Sequence, residues 1–110
     1  MSDCSIRTGN NGTVYLDGEM NFASTPDLYQ QLEDRFMGDK PIKNIDLSGV
    51  GLADSAGLAL LLEFQAMARR QGHRLCIINT PDNLLRLAKL CEADKLMEIT
   101  GRDHKGDEST

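Results

Sequence analysis

The residues whose types and spacing best suit chemistry are Asp54 and Ser55, which follow a predicted strand and precede a long apolar run. Their side-chain oxygens accept hydrogen bonds from the free N–H groups of a helix's first turn, so the pair predicts the start of a helix. Ser55 is therefore either a recognition residue or a helix cap worth about 1 kcal/mol. Asp54 is either a partner contact or a cap, and the cap is the favoured interpretation.

The other polar residues do not form a catalytic or metal-binding pattern. The sequence contains neither a phosphate-cradling P-loop nor a Gly-x-Ser-x-Gly nucleophile elbow. The two histidines, His73 and His104, lack metal-ligand spacing, and neither is evident from the sequence as a base for Ser55. We therefore predict a protein that is not an enzyme and that carries no cofactor and no metal.

Composition and charge favour a protein that meets other proteins. Seventeen acidic against twelve basic residues give a net charge of −5, which argues against nucleic acid as a partner. The cysteines Cys4, Cys76 and Cys91 are widely spaced, and we expect reduced thiols of a cytoplasmic protein without a signal peptide, with Cys76 and Cys91 in the core. The longest run without polar side chains, Ala56 to Leu62, is far shorter than the roughly 20 residues of a membrane span. We therefore expect no direct membrane insertion, and any membrane link must come through a partner.

The elements around Asp54 and Ser55 are a strand, a loop and a helix. Residues Ile42 to Leu47 alternate apolar and polar side chains, as a half-buried strand does, and a loop with two glycines is expected after them. The helix is expected to end in polar residues before Gly72. The five residues from Leu58 to Leu62 are all apolar, and at about 100° per residue they surround the helix. Either another helix covers the side that a sheet leaves open, or part of this surface is kept for a partner.

The N-terminal elements are predicted from turn residues. A turn at Asn10-Asn11-Gly12 predicts a hairpin, whose second strand begins with Thr13 to Leu16 and ends at Asp17-Gly18-Glu19. Ser24-Thr25-Pro26 opens a helix, with Ser24 and Asp27 as an approximate capping box and Gly38 as the stop.

The C-terminal elements complete one domain. Arg74 to Ile78 is a predicted buried strand, and Thr80-Pro81 opens a helix. The apolar stripe of that helix is Leu84, Leu87, Ala88 and Cys91. Asp94 to Ile99 is either a last strand or a helical turn, anchored by Leu96 and Ile99. The alternation of strands and helices predicts one α/β domain over residues 1–100, with a parallel-rich sheet, and a disordered polar tail at residues 101–110.

Two motifs carry a resemblance to a known family. Asp46-Leu47-Ser48, followed by Asp54-Ser55-Ala56-Gly57-Leu58 at the head of a leucine-rich helix, resembles the signature of STAS domains, the family of the bacterial anti-sigma factor antagonists. The continuation to Glu63 looks closest to the MlaB branch, the small cytoplasmic subunits of Mla phospholipid ABC transporters, in which a segment similar to Phe22-Ala23-Ser24-Thr25-Pro26 also occurs. The resemblance covers about Thr13 to Ile99, and it implies a mixed sheet of four or five strands with helices on one face.

The resemblance implies three functional hypotheses. In the first, the protein is a non-catalytic subunit that binds and supports the cytoplasmic ATPase of a phospholipid ABC transporter. Its docking face would be Ser55 with Asp54, Ala56, Leu58, Ala59 and Leu62, although each of these leucines is individually favoured as core. In the second, the protein is an anti-sigma factor antagonist, regulated by phosphorylation of Ser55 by a partner serine kinase. The third is a scaffolding module of another STAS system.

One residue bears on the choice between the first two hypotheses. Anti-sigma factor antagonists often carry an acidic residue shortly after a Gly-Glu pair, near the phosphoacceptor. Here Gly18-Glu19-Met20 is followed by Asn21, whose amide has no charge. This departure favours the transporter branch, in which the site serves docking.

Overall fold

The computed structural model describes residues 4–38 and 41–102, and in this part of the chain it shows five strands and three α-helices. The strands are β1 (Cys4–Thr8), β2 (Thr13–Met20), β3 (Asn44–Ala53), β4 (Cys76–Thr80) and β5 (Glu98–Gly101). The helices are α1 (Thr25–Phe36), α2 (Ser55–Arg70) and α3 (Asp82–Leu90), and a 3₁₀ turn at Ala93–Lys95 precedes β5. Among these described residues, no helix is long and apolar enough to cross a bilayer.

The strands form one mixed sheet in the order β1-β2-β3-β4-β5, with β1 antiparallel to β2 and every later pair of neighbours parallel. Asn11 and Gly12 have positive φ angles of 58° and 77° in the turn between β1 and β2, and this confirms the predicted hairpin. Each parallel pair is joined through a helix, and right-handed connections that advance in one direction place the three helices on the same face. The predicted α/β fold, a mixed sheet with helices on one face, is confirmed.

The core lies between the helices and the sheet. Ile45 of β3 and both Leu61 and Phe64 of α2 have no solvent exposure. The ring centroid of Phe64 lies 5.0 Å from that of Phe36 and 5.4 Å from that of Tyr29, so aromatic contacts join α2 to α1. The central helix is therefore fixed both to the sheet and to its neighbour.

The apolar run of α2 is mostly covered by the fold itself. Leu58, Leu60 and Leu61 are buried, Leu62 is half-buried against the core, and Ala59 is exposed. Because α2 contacts α1 as well as α3, neighbouring helices cover most of what the sheet leaves open. The first of the two predicted alternatives therefore holds: neighbouring helices cover the leucines, and the exposed residue of the run is the small Ala59.

Strands β2 and β3 both run further than the sequence predicted. β2 continues past the predicted stop to Met20, and β3 continues through the expected two-glycine loop to Ala53. Gly49 pairs with Asp17 of β2, and a Cβ atom on Gly49 would overlap the Asp17 carboxylate. The glycine therefore leaves room for the Asp17 side chain where it lies in this structure, and it continues the strand instead of forming a turn. We call residues 47–53, the last predicted strand residue and the added ones, the β3 extension.

Helix α1 begins where predicted, but the predicted capping box is wrong. The Ser24 hydroxyl donates a hydrogen bond to the carbonyl oxygen of Glu19 at 2.8 Å and accepts none from the first turn of the helix. A capping residue normally has an extended backbone, whereas Ser24 has φ −94° and ψ −26°, which are already helical. The side chain of Ser24 therefore joins the helix start to the end of β2.

The predicted core positions at the C-terminal end are partly wrong. Cys91 is exposed, because α3 ends at Leu90 before the last position of the apolar stripe, and Cys76 is half-buried. Leu96 is 54% exposed, and the chain is anchored instead by the buried Met97 and the half-buried Ile99. The final element contains both predicted alternatives, a 3₁₀ turn followed by a strand.

The predicted boundary after residue 100 falls within the last strand. Gly101 belongs to β5, and Arg102 donates hydrogen bonds to β3 and β4. The remainder of the predicted tail, residues 103–110, lies outside the described residues and stays a prediction.

Candidate functional site

The start of α2 is built on the carboxyl ends of β2 and β3. The Asp54 amide donates a hydrogen bond to the carbonyl oxygen of Met20 at 3.0 Å, which ties the helix start to β2. A Cβ atom on Gly57 would lie 3.0 Å from the Met20 Cβ and 3.2 Å from its carbonyl oxygen, which is tighter than an ordinary contact, so the glycine favours this close packing of the helix on β2. The prediction that Gly57 allows close packing of helix on strand is confirmed.

The cap of α2 is Asp54 and not Ser55. The Oδ1 atom of Asp54 accepts hydrogen bonds from the amides of Ala56 at 2.9 Å and Gly57 at 3.3 Å. Ser55 is the first helical residue; it is exposed, and its hydroxyl has no hydrogen bond to any residue that the structure describes. The capping interpretation of Asp54 is therefore confirmed, and that of Ser55 is wrong. The hydroxyl of Ser55 is left facing solvent at the positive end of the helix dipole.

Two large exposed apolar side chains lie close to Ser55. Phe22, in the loop between β2 and α1, is 75% exposed, and Leu52, near the end of β3, is 62% exposed. Phe22 lines an open groove between α1 and α2 together with Ala56 and Ala59. Leu52 lines a second open cleft together with Asn21 and Asp54, which are the chain neighbours of Phe22 and Ser55. We call the surface formed by Phe22, Leu52, Ser55, Ala56 and Ala59 the helix-mouth face.

The residues that the sequence proposed for docking separate into two sets. Asp54, Ser55, Ala56 and Ala59 lie at or beside the helix-mouth face, whereas Leu62 is half-buried against the core. Leu58 is 4% exposed, so its side chain is part of the core and its assignment as a surface contact is wrong. The sequence offered no proposal for Phe22 and Leu52 as contacts, although Phe22 is an apolar residue in a loop without periodic partners.

Asn21 stabilises the loop that carries Phe22. Its side-chain oxygen accepts hydrogen bonds from the amides of Ala23 at 2.9 Å and Ser24 at 3.0 Å, and its own amide donates to the Ser24 hydroxyl at 2.9 Å. The residue that stands where antagonists often have an acid is thus used to form a turn. It adds no negative charge to the cleft that it lines together with Leu52 and Asp54.

The described residues supply neither a nearby histidine base for Ser55 nor a metal-binding cluster. His73 follows the C-terminal end of α2, and a helix of 16 residues is about 24 Å long, so His73 is too far away to act as a base for Ser55. His104 lies outside the described residues. Within residues 4–38 and 41–102, no group of three or more His, Cys, Asp or Glu side chains is arranged to hold a metal ion. Tyr29 also lines the groove between α1 and α2. The nearby Glu33 carboxylate raises the pKa of the Tyr29 phenol, so the side chain stays neutral and its hydroxyl can donate a hydrogen bond.

Comparison with known proteins identifies the family. The family model described as "Mlab, STAS domain" matches residues 6–98. The chain belongs to the MlaB-type STAS domain family. It is 35% identical over 85 residues to the Escherichia coli protein named intermembrane phospholipid transport system binding protein MlaB, and this match spans 77% of the chain and 82% of that relative.

Solved structures confirm the STAS fold independently. A Thermotoga maritima protein, solved as a candidate anti-sigma factor antagonist, superposes with a TM-score of 0.70 at 16% identity, over 96% of this chain and 90% of that one. The anti-sigma factor antagonist SpoIIAA, solved in its unphosphorylated form, superposes with a TM-score of 0.67 at 12% identity, over 96% and 93% of the two chains. At such identities the likeness is one of fold alone.

Proposed function

We propose that this STAS domain is a non-catalytic subunit of an Mla-type phospholipid ABC transporter and that it binds the transporter's cytoplasmic ATPase subunit. The proposal is supported by 35% identity over most of the chain to MlaB, whose name assigns it to an intermembrane phospholipid transport system. The transporter would hold the domain at the cytoplasmic face of the inner membrane. The ATPase supplies nucleotide hydrolysis, and the STAS subunit supplies a binding surface.

The observation that carries the docking role is the exposure of Phe22 and Leu52 beside Ser55. Removing large apolar side chains from water is energetically favourable, so exposed ones contribute to binding when a partner covers them. Aromatic residues often contribute strongly to binding. Ala56 and Ala59 have short side chains, so a partner could approach the backbone of α2 closely between the larger groups. The exposed hydroxyl of Ser55 would accept or donate a hydrogen bond at the centre of this surface.

A second function is favoured by the same exposed hydroxyl. A serine at the first helical position, with no hydrogen bond to the described residues, is accessible to a kinase, and a phosphate there would meet the positive helix end. The second candidate is therefore an anti-sigma factor antagonist regulated by a partner serine kinase. The uncharged Asn21 and the identity to MlaB make docking the preferred function.

The docking proposal is tested by co-purification with the Mla-type ATPase subunit from the same genome. Ser55→Glu places a charge that the helix end tolerates but that an interface must desolvate, so we expect strongly reduced binding by a folded protein. Asn10→Glu adds the same charge at the exposed β1–β2 turn, at the opposite end of β2, and should bind normally. Equal binding by both variants, or no binding by the wild type, would contradict the proposal.

Phosphate occupancy separates docking from the kinase-regulated function, since Ser55→Glu would disrupt both. Protein isolated from its own cells should carry no phosphate on Ser55 when analysed by intact-mass and peptide mass spectrometry. Substantial occupancy that disappears when a partner serine kinase is deleted would establish the antagonist function instead.

A further inference from the structure

A gap opens between β3 and β4 close to the helix-mouth face. The pairing of these parallel strands ends at Asp46 and Ile78, and the next residue, Asn79, has a positive φ of 55° that turns β4 away. The β3 extension is then paired with β2 on one side, while no described strand pairs with its other side. Carbonyl oxygens on such an edge need donors from elsewhere.

The side chain of Arg102 supplies these donors. Its Nε donates a hydrogen bond to the carbonyl oxygen of Asn79 at 3.1 Å. Its Nη2 donates to the carbonyl oxygens of Val50 at 2.6 Å and Leu47 at 2.9 Å, with a longer contact to that of Ser48 at 3.4 Å. One planar guanidinium, with donors in a fixed fork, therefore joins β4 to three carbonyls of the β3 extension. Within the described residues Arg102 forms no ion pair, so the polar contacts there that a replacement removes are these hydrogen bonds.

The segment that Arg102 holds leads directly into the helix-mouth face. Leu52 is part of the β3 extension, and Asp54 and Ser55 follow its last residue. A second side chain from the C-terminal part of the chain, Asn83, donates to the carbonyl oxygen of Ala53 at 2.7 Å. The end of β3 is therefore fixed by contacts to residues that are distant in sequence.

We propose that Arg102 is a positioning residue for partner binding: it bridges the gap between β3 and β4 and so holds Leu52, Asp54 and Ser55 in the arrangement that the partner meets. The proposal rests on the proposed function, because it assigns to Arg102 a role at the same docking surface. Without the guanidinium, the β3 extension opens more often, and a partner binds only the fraction of molecules that keep the correct arrangement.

Amide hydrogen exchange of the full-length chain tests whether Arg102 holds the extension. We compare Arg102→Ala and Arg102→Lys, since a lysine ammonium keeps the charge but cannot span the gap. The control is Arg74→Ala, which removes an arginine paired with Glu98 at an exposed position. Exchange in peptides covering residues 47–54 should become about tenfold faster in both Arg102 variants, because hydrogen bonds from a charged donor are lost. Peptides covering Thr13 to Leu16, and all peptides of the control, should be unchanged.

Unchanged exchange over residues 47–54 overturns the proposal, and so does an equal increase in all peptides, which would mean general destabilisation. The second measurement is the Kd for the purified ATPase subunit, which should rise at least about threefold in both Arg102 variants and not in Arg74→Ala. Faster local exchange with an unchanged Kd would overturn the role in binding. If the wild type itself binds no ATPase subunit, the proposed function fails, whereas the exchange result still decides whether Arg102 holds the extension.

Discussion

Removing the Asp54 carboxylate tests which residue caps the central helix. Asp54→Ala leaves the amides of Ala56 and Gly57 without the acceptor that they have at 2.9 and 3.3 Å. Loss of a capping side chain costs about 1 kcal/mol, and loss of a negative charge at a helix N-terminus costs roughly a further 0.3–1 kcal/mol. We therefore expect Asp54→Ala to lower the free energy of unfolding by about 1–2 kcal/mol.

Two further variants separate the contributions to this loss. Asp54→Asn keeps a side-chain oxygen as acceptor but removes the charge, so only the dipole share of about 0.3–1 kcal/mol should be lost. Ser55→Ala removes an exposed hydroxyl that has no hydrogen bond to the described residues, and the free energy of unfolding should stay within about 0.5 kcal/mol of wild type.

Urea unfolding followed by far-ultraviolet circular dichroism provides the measurement. For an m value of about 1–3 kcal/mol/M, a loss of about 1.5 kcal/mol lowers the midpoint by roughly 0.5–1.5 M, and m itself should not change. The reasoning is refuted if Ser55→Ala costs as much as Asp54→Ala, because the cap would then be the serine hydroxyl. A neutral Asp54→Ala would refute it equally.

Three other measurements test packing, burial and the limits of the domain. Gly57→Val should destabilise the chain by about 1–3 kcal/mol, because even a Cβ atom would lie 3.0 Å from the nearest atom of β2. In the control Gly51→Val, a Cβ atom would meet nothing within 4 Å, so the urea midpoint should stay at the wild-type value. Equal midpoints for the two variants would contradict this prediction. Iodoacetamide at pH 8 should modify the exposed Cys91 first and Cys4 last, because burial raises the pKa of the Cys4 thiol to about 11 and only about one part in a thousand is then reactive thiolate. Raising the pH should narrow the difference between the modification rates of Cys91 and Cys4. Rapid modification of Cys4 at pH 8 would show that β1 does not protect this thiol. Deleting residues 103–110 should change the free energy of unfolding by less than about 0.5 kcal/mol, since the segment has no apolar anchor, and a clear fall in Tm would show that it packs.

The order and type of the elements could be predicted because their signals are local. Pro26 and the Asp54-Ser55 pair mark helix starts, and Gly72, which has a positive φ of 77°, marks the end of α2. The boundaries of β2 and β3 could not be predicted in the same way. Gly49 continues β3 and pairs with Asp17 of β2, and this pairing exists only once the sheet has formed.

The sequence indicated the place of the docking surface that we propose, but not all of its residues. The motif contains Ser55, Ala56 and Ala59, and in the structure Ser55 and Ala59 are exposed while Ala56 is half-buried. Consecutive leucines carry no periodicity, so the sequence could not tell that Leu58 faces the core. Phe22 and Leu52 are exposed because the fold leaves them largely uncovered, and the pattern of residue types along the chain does not contain that information.

The division of apolar residues around α2 separates the core of the domain from the docking surface that we propose. The leucines that make the helix apolar are used inside the domain, where Leu61 and Phe64 have no exposure. The apolar side chains left for a partner, Phe22 and Leu52, come instead from a loop and from the β3 extension. These segments hold their positions through hydrogen bonds: the Asn21 side chain accepts from the Ala23 amide, and the side chains of Asn83 and Arg102 donate to carbonyl oxygens of the β3 extension. A change in a polar residue outside the helix-mouth face should therefore alter binding, while the leucine run mainly sets stability.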